Sequence, residues 1–230
     1  MNKLYAILGG TFDPIHYGHI LLSKEIIKKL SLKKLFLLPN ENPPHKNHII
    51  TPILHRINMI KLAILDIPHI EINYTEINQN NNKHYSINTL KKIRKQIGYT
   101  LPIALIIGND NLINFKKWNQ WNKILKFSHI IVLQRNNEQV KTIDNEINTF
   151  ITNNTVKNIN FLQQQPQGHI FFFKNTIINI SSTKIRKNIK IRKKYSHLIP
   201  KSVNDYIKKN KLYINSRFNI NNKIIITNNE

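Results

Sequence analysis

Residues 4–19 read LYAILGGTFDPIHYGH, and this stretch indicates the fold. Its first five residues form a short apolar run that ends at Gly9-Gly10, a pattern typical of a buried strand followed by a tight turn. From residue 17 to residue 30, apolar side chains recur at helical spacing, which predicts an amphipathic helix. A strand, a glycine turn and a helix in this order are the beginning of an α/β architecture.

The same alternation continues along the rest of the chain. Helices are predicted to begin near Pro52, with Thr51 as the N-cap, and at Ser86 acting as a cap, the latter ending at Gly98. Further apolar runs predict strands at residues 35–38, 70–74, 102–107, 130–133 and 171–173. Because strands and helices alternate, we expect a Rossmann-like, doubly wound, mostly parallel sheet with helices on both faces.

Length and composition exclude several classes of protein. A chain of 230 residues and 27.1 kDa fits one domain better than two. The absence of cysteine excludes disulfides, thiolate zinc sites and a cysteine nucleophile. No apolar run approaches the roughly 20 residues that cross a bilayer, and Gly9-Gly10 come too early for a secretory leader. These features predict a soluble cytoplasmic protein.

The net charge of +23 has two explanations. Lysine and arginine neutralise nucleic-acid phosphates, so a strongly basic chain is a candidate RNA or DNA binder. Isoleucine, asparagine and lysine, however, account for 107 of the 230 residues, and all three have A/T-rich codons. Only six of the 35 basic residues are arginine, which binds phosphate and guanine best. We therefore favour compositional drift over nucleic-acid binding.

The turn after the first strand carries the residues most suited to chemistry. Glycine lets backbone amides approach a ligand closely, and a helix N-terminus attracts anions. His16 and His19 are three residues apart, so they share a face of the first helical turn. Two imidazoles there could donate hydrogen bonds to phosphate. They could also hold zinc, although Asp13 is the only nearby carboxylate, or simply be buried polar groups.

A second polar segment, ISSTKIR at residues 180–186, lies far downstream. Ser182 or Thr183 can cap the helix that follows, and their hydroxyls, the first amides and Arg186 could converge on an anion. Taken alone, the segment fits equally well with an ordinary helix cap and a solvent-facing arginine.

The two segments together resemble a known family. GGTFDP at residues 9–14, HYGH at 16–19 and ISSTKIR at 180–186 are similar to the motifs of the H-x-G-H nucleotidyltransferases, and most similar to bacterial nicotinate-nucleotide adenylyltransferases. The resemblance spans about residues 1–213, the predicted nucleotidyltransferase domain, and leaves 214–230 as a loosely packed tail. It implies transfer of the adenylyl group from ATP, with Mg²⁺, to nicotinate mononucleotide, giving nicotinate adenine dinucleotide and pyrophosphate in NAD biosynthesis.

The resemblance also implies residue roles, with His16 and His19 contacting the ATP phosphates and stabilising the transition state. The implied ATP-binding residues are Gly9, Gly10, Thr11, Phe12, His16, His19, Gly108, Asp110, Arg135, Ser181, Ser182, Thr183 and Arg186. The implied residues for the mononucleotide are Thr11, Lys46, Tyr85, Ser86 and Trp118. Arg135 departs from the pattern, because Asn136-Asn137 follow where the family has a proline-glycine loop. Arg56 is either a further phosphate ligand or a surface charge.

Other functions remain open at this point. A related enzyme could act on nicotinamide mononucleotide or phosphopantetheine. A basic RNA-binding protein could also be built on the same scaffold. The expected partners are ATP and nicotinate mononucleotide, with no membrane and no nucleic acid.

Overall fold

A computed structural model describes residues 3–41, 51–77, 84–134 and 144–214. Within them the chain forms six strands and eight α-helices that alternate along most of its length. The strands are β1 (Tyr5–Gly10), β2 (Lys34–Pro39), β3 (Ile70–Ile72), β4 (Ile103–Gly108), β5 (His129–Gln134) and β6 (Ile170–Lys174). The helices are α1 (Tyr17–Lys29), α2 (Ile53–Ile64), α3 (Ser86–Ile97), α4 (Asn109–Ile113), α5 (Asn145–Asn154), α6 (Asn160–Gln164), α7 (Ser182–Lys190) and α8 (Lys201–Lys209). Short 3₁₀ helices cover Phe115–Lys117, Trp121–Lys126 and Ser196–Leu198.

The six strands form one parallel sheet in the order β3-β2-β1-β4-β5-β6. The predicted Rossmann-like doubly wound sheet is therefore confirmed. Strands β1 and β4 are neighbours in the sheet although nearly a hundred residues separate them, with Leu8 opposite Ile106. This is where the direction of strand addition reverses, and ligands of such sheets bind beyond the carboxyl ends of the strands at that point.

Each face of the sheet has its own apolar core. Ala6 and Leu8 of β1 pack with residues of α1, α2, α7 and α8, whereas Ile7 packs on the opposite face with α3, α4 and α5. Side chains alternate along a strand, so neighbouring residues point to opposite faces of the sheet, and β1 buries apolar groups on both faces. The carboxyl edge of the sheet is therefore flanked by helices on both sides.

Three predicted helix starts were wrong by one or two residues. Pro52, not Thr51, occupies the N-cap position of α2, and Tyr85 precedes α3 while Ser86 is its first residue. At α7 the cap is Ser181, whose hydroxyl accepts a hydrogen bond from the Lys184 amide at 3.3 Å. Local patterns identify a helix more reliably than its first residue, because several adjacent polar residues can occupy the cap.

The predicted end of α3 is confirmed. Gly98 lies at the C-cap with a φ of +86°, a backbone conformation that residues with a β-carbon rarely adopt. In the part of the chain that the structure describes, no helix is both long and apolar enough to span a bilayer.

Candidate active site

The loop between β1 and α1 is held in a strained conformation. Phe12 is buried and has a φ of +47°, which costs a non-glycine residue on the order of 1 kcal/mol. Its ring lies over Gly10, where a β-carbon would come within 2.9 Å of the ring. A glycine is therefore required at residue 10 if Phe12 is to fold back over the strand end. The same ring meets the edge of the His19 imidazole, with centroids 5.0 Å apart.

The two histidines predicted to act together do lie together. The rings of His16 and His19 stack with centroids 3.8 Å apart and an interplanar angle of 23°. The backbone amide of His16 donates to Nδ1 of His19 at 3.3 Å, so the proton of a neutral His19 is on Nε2. Gly18 makes this arrangement possible, because a β-carbon there would lie 2.9 Å from the His16 ring.

His16 is buried and keeps an unused nitrogen. Burial lowers its pKa to about 4, so the imidazole is neutral at physiological pH. Among the described residues, Nδ1 has no hydrogen-bond partner although it is inaccessible to solvent. Buried polar atoms are almost always paired, and one that is not marks a place where a ligand or water belongs. The pKa would rise if an anion came close to the ring.

The late segment packs directly against the opening loop. The Ser182 hydroxyl donates to the Pro14 carbonyl at 2.9 Å, and the Arg186 guanidinium donates to the Asp13 carbonyl at 2.6 Å. A second Arg186 nitrogen is 3.5 Å from the Thr183 hydroxyl. The two segments, about 170 residues apart in the chain, are therefore in direct contact.

Arg56 was expected either to contact phosphate or to be a surface charge, and the second expectation was wrong. Its side chain is 1% exposed. It donates to the carbonyls of Thr11 at 2.9 Å, Asn40 at 2.8 Å and Thr51 at 3.1 Å. Burial lowers its pKa from the ordinary arginine value. Arg56 thus holds the opening loop against the end of β2.

A cavity of about 250 Å³ opens at the edge of the sheet. It lies at the carboxyl edge between β1 and β4, where Gly9 and Gly108 line it. Tyr85, Ser86 and Trp118, the residues predicted for the mononucleotide, also line it. Trp118 packs on Phe115, with ring centroids 5.2 Å apart, and so presents a supported aromatic surface.

The cavity also contains a buried carboxylate that the sequence analysis did not identify. Glu76 is 4% exposed, and its two oxygens accept hydrogen bonds from Asn40 Nδ2 at 2.9 Å and the Thr89 hydroxyl at 2.7 Å. These bonds connect the end of β2 to the first turn of α3. The local sequence around Glu76 is polar and without a recognisable pattern, so only the fold reveals this contact.

The predicted site residues form two groups on opposite sides of the sheet edge. The opening loop and the late segment pack on the α1 side, whereas the cavity lies on the α3 side. Gly9 and Gly108 lie between the two groups. Asp110 is exposed at the start of α4, and its carboxylate occupies the space that a β-carbon at Gly108 would need. Lys46 and Arg135 lie outside the described residues.

The described residues offer no protein-built metal centre. Among them, no three histidine, aspartate or glutamate side chains are grouped closely enough to hold an ion. Mg²⁺ in phosphoryl-transfer enzymes is commonly bound through substrate phosphates and only one or two carboxylates.

Comparison with known proteins agrees with this geometry. Residues 7–188 match the model of the family described as cytidylyltransferase-like. The chain is 48% identical over 213 residues to a probable nicotinate-nucleotide adenylyltransferase of Buchnera aphidicola subsp. Acyrthosiphon pisum, covering 93% of this chain and 98% of that protein. It is 35% identical to the corresponding Serratia proteamaculans protein, covering 91% and 95%. Nicotinic acid mononucleotide adenylyltransferase of Plasmodium falciparum, solved with NaAD, has the same fold at a TM-score of 0.66 and 20% identity, covering 92% and 97%.

Proposed function

The chain belongs to the cytidylyltransferase-like family and, within it, to the nicotinate-nucleotide adenylyltransferases, and on this basis we propose how its carboxyl-edge site joins ATP to nicotinate mononucleotide. The reaction transfers the adenylyl group of ATP and gives nicotinate adenine dinucleotide and pyrophosphate. A phosphate oxygen of the mononucleotide attacks the α-phosphorus of ATP. The bond between that phosphorus and the bridging oxygen breaks, and pyrophosphate leaves with the bonding electrons.

This chemistry needs alignment and charge stabilisation rather than a general base. The attacking phosphate is an anion at neutral pH, and the transition state spreads negative charge over the phosphoryl oxygens. Imidazoles that stack beside a helix N-terminus can donate hydrogen bonds to those oxygens as the charge develops. His16 and His19 have this placement, and the first amides of α1 add a positive dipole end.

We assign the ATP-binding part of the site from one observation. Ser182 donates a hydrogen bond to the Pro14 carbonyl, and Arg186 donates one to the Asp13 carbonyl. These hydrogen bonds support a triphosphate path along the wall formed by the opening loop and α7. The other predicted ATP ligands at this edge are Gly9, Gly10, Thr11, Phe12, Gly108, Asp110, Ser181 and Thr183. Mg²⁺ would enter with the nucleotide and neutralise part of the pyrophosphate charge.

The cavity on the other side suits the pyridine nucleotide. Trp118 offers an aromatic face to the ring, and the N-terminus of α3 at Ser86 offers amides to a carboxylate. Tyr85 lines the same space. We assign the acid rather than the amide because a helix N-terminus stabilises negative charge. The two substrates would then meet over Gly9 and Gly108.

A pyrophosphate-release assay tests this function. The purified chain should release pyrophosphate with ATP, Mg²⁺ and nicotinate mononucleotide, and the dinucleotide product should appear in equal amount by chromatography. With nicotinamide mononucleotide the rate should be lower, because that substrate lacks the carboxylate. Release that is faster with the amide would contradict the substrate assignment. Salt-sensitive retention of RNA without any pyrophosphate release would favour the RNA-binding alternative.

A further inference from the structure

The opening loop has an anchor that comes from the end of the described chain. Tyr213 lies four residues beyond the end of α8, and its hydroxyl is 2.7 Å from Oδ1 of Asp13. Both residues are buried, at 6% and 3% exposure. Burial and the neighbouring carboxylate raise the pKa of Tyr213 well above its ordinary value. The hydroxyl therefore stays protonated and donates a hydrogen bond to the Asp13 carboxylate.

The backbone at Tyr213 is itself strained. Its φ is +66°, a left-handed conformation that is an outlier for a bulky aromatic residue. Such conformations persist only where surrounding contacts hold them, and they cluster at functional sites. Here the surrounding contacts include the packing of the buried ring and the bond to Asp13. Met59 Sδ also lies 4.0 Å from the same hydroxyl.

The bond to Asp13 differs from the other anchors of the loop. Arg56, Arg186 and Ser182 all hold backbone carbonyls, of Thr11, Asp13 and Pro14. Tyr213 instead holds a side chain, which would otherwise be a buried carboxylate without this donor. A buried carboxylate is destabilised when it loses a hydrogen-bond donor, so Asp13 would be expected to shift if the hydroxyl were removed. A shift of Asp13 moves its neighbours in the loop that leads to His16 and His19.

We propose that Tyr213 is a positioning residue that fixes His16 and His19 through Asp13. The proposal rests on the proposed function, because it concerns the same reaction. In this proposal the buried Tyr213 acts through Asp13 and not by touching substrate. It determines the conformation of the loop in which the imidazoles are aligned, so its hydroxyl should affect turnover more than substrate capture.

The test compares Tyr213→Phe with Tyr206→Phe. Tyr206 lies in α8, and its hydroxyl also makes two hydrogen bonds, one with His55 Nδ1 at 2.9 Å and one accepted from Asn58 Nδ2 at 3.0 Å, neither of them with a residue of the loop. Both variants remove one bonded hydroxyl from a tyrosine, so comparable losses of stability are expected. Only Tyr213→Phe should lower kcat, by about tenfold, at a temperature where both variants are folded. The KM values for ATP and for the mononucleotide should change by less than about threefold.

A double substitution separates positioning from general stabilisation. If Tyr213 acts through Asp13, then Tyr213→Phe should have no further effect on kcat once Asp13 is alanine. Equal kcat in the Tyr213 and Tyr206 variants, or additive losses in the double variant, would overturn the proposal. The unmodified protein must release pyrophosphate for the comparison to be made. Its failure to do so would instead contradict the proposed function.

Discussion

Each end of the sheet has a buried arginine that donates hydrogen bonds to backbone carbonyls. The two arginines differ in the segments that they connect. At the carboxyl end, Arg56 joins the opening loop to β2. At the amino end, Arg94 is fully buried and donates to the carbonyls of Phe127, Leu101 and Pro166 at 2.6–2.7 Å and to that of Gly98 at 3.3 Å. Burial lowers the pKa of Arg94 to about 10, so it remains charged at neutral pH.

Each end of the sheet also has a buried histidine, and the two histidines differ in their hydrogen bonds. His129 and His16 are both buried, and burial lowers the pKa of each to about 4. His129 uses both ring nitrogens, one bonded to the Gln165 carbonyl at 2.8 Å and the other accepting from the His169 amide at 3.1 Å. His16 leaves Nδ1 without a partner in the described part of the chain. The same residue types therefore serve stability at one end and leave bonding capacity for a substrate at the other.

Replacing the two arginines should have the largest effect and should separate the two ends. Arg94→Met leaves up to four carbonyls without their donor, and we expect it to lower the free energy of unfolding by on the order of 3–5 kcal/mol. Its kcat should be unchanged while the protein is folded, because no carbonyl that it holds lies at the carboxyl edge. Arg56→Met should cost less stability, since it loses fewer acceptors, and should also lower kcat. Urea unfolding and steady-state kinetics measure the two effects.

Equal kcat values in the two arginine variants would contradict the claim that only the carboxyl end of the sheet supports the reaction. A fall in kcat for Arg94→Met below its unfolding temperature would mean that the amino end is coupled to the chemistry. Unchanged kcat in Arg56→Met would mean that the opening loop keeps its conformation without this anchor.

Substitution of His19 tests the chemistry directly. His19→Ala should lower kcat by about 10²–10³-fold, because it removes a donor aimed at developing charge, and should change stability little. His197→Ala is the matched control, since His197 is exposed on a short 3₁₀ helix and should leave kcat unchanged. Near-normal turnover in His19→Ala would exclude His19 from the reaction.

The smallest expected effect is a dependence of stability on pH. Because the folded pKa of His16 and of His129 lies near 4, below the ordinary 6.5, the fold favours the neutral rings. Their contribution is present above pH 6.5 and is lost as the pH falls toward 4. From pH 7 to about 5.5, each should lower the free energy of unfolding by about 1 kcal/mol. His129→Gln should remove about half of this loss, as measured by urea unfolding at the two pH values.

The same pair can be followed by NMR titration of the imidazoles. A non-hydrolysable ATP analogue should raise the pKa of His16, because nearby phosphate favours the imidazolium, and should leave His129 unchanged. A shift at both rings, or at neither, would contradict the assignment of different roles to the two ends.

The sequence was sufficient to predict most of the architecture. Apolar runs such as 102–107 and the glycines that end β1 and β4 depend on local physical chemistry, which a single sequence displays. The spacing of three residues also predicted that His16 and His19 lie together, although His16 is the extended N-cap residue that precedes α1 and not part of its first turn. The three-residue β3 shows the limit, because the apolar run at 70–74 predicted a longer strand.

What the sequence did not show was the set of long-range hydrogen bonds that hold the site. Arg56, Glu76 and Tyr213 stand in unremarkable local surroundings, and most of their partners are 13 to 200 residues away. No periodicity relates a buried side chain to a distant carbonyl or carboxylate. Ser182 and Arg186 were recognised from a motif, but their bonds to the opening loop required the tertiary structure.

The bond between Asp13 and Tyr213 also has a consequence for protein synthesis. A ribosome makes the histidine loop at the start of translation and the tyrosine that anchors it two hundred residues later. Folding during synthesis proceeds from the N-terminus, so the bond to Asp13 can form only after Tyr213 has been synthesised. A chain that ends before Tyr213 would therefore lack this anchor, and we expect it to turn over ATP more slowly than the finished protein.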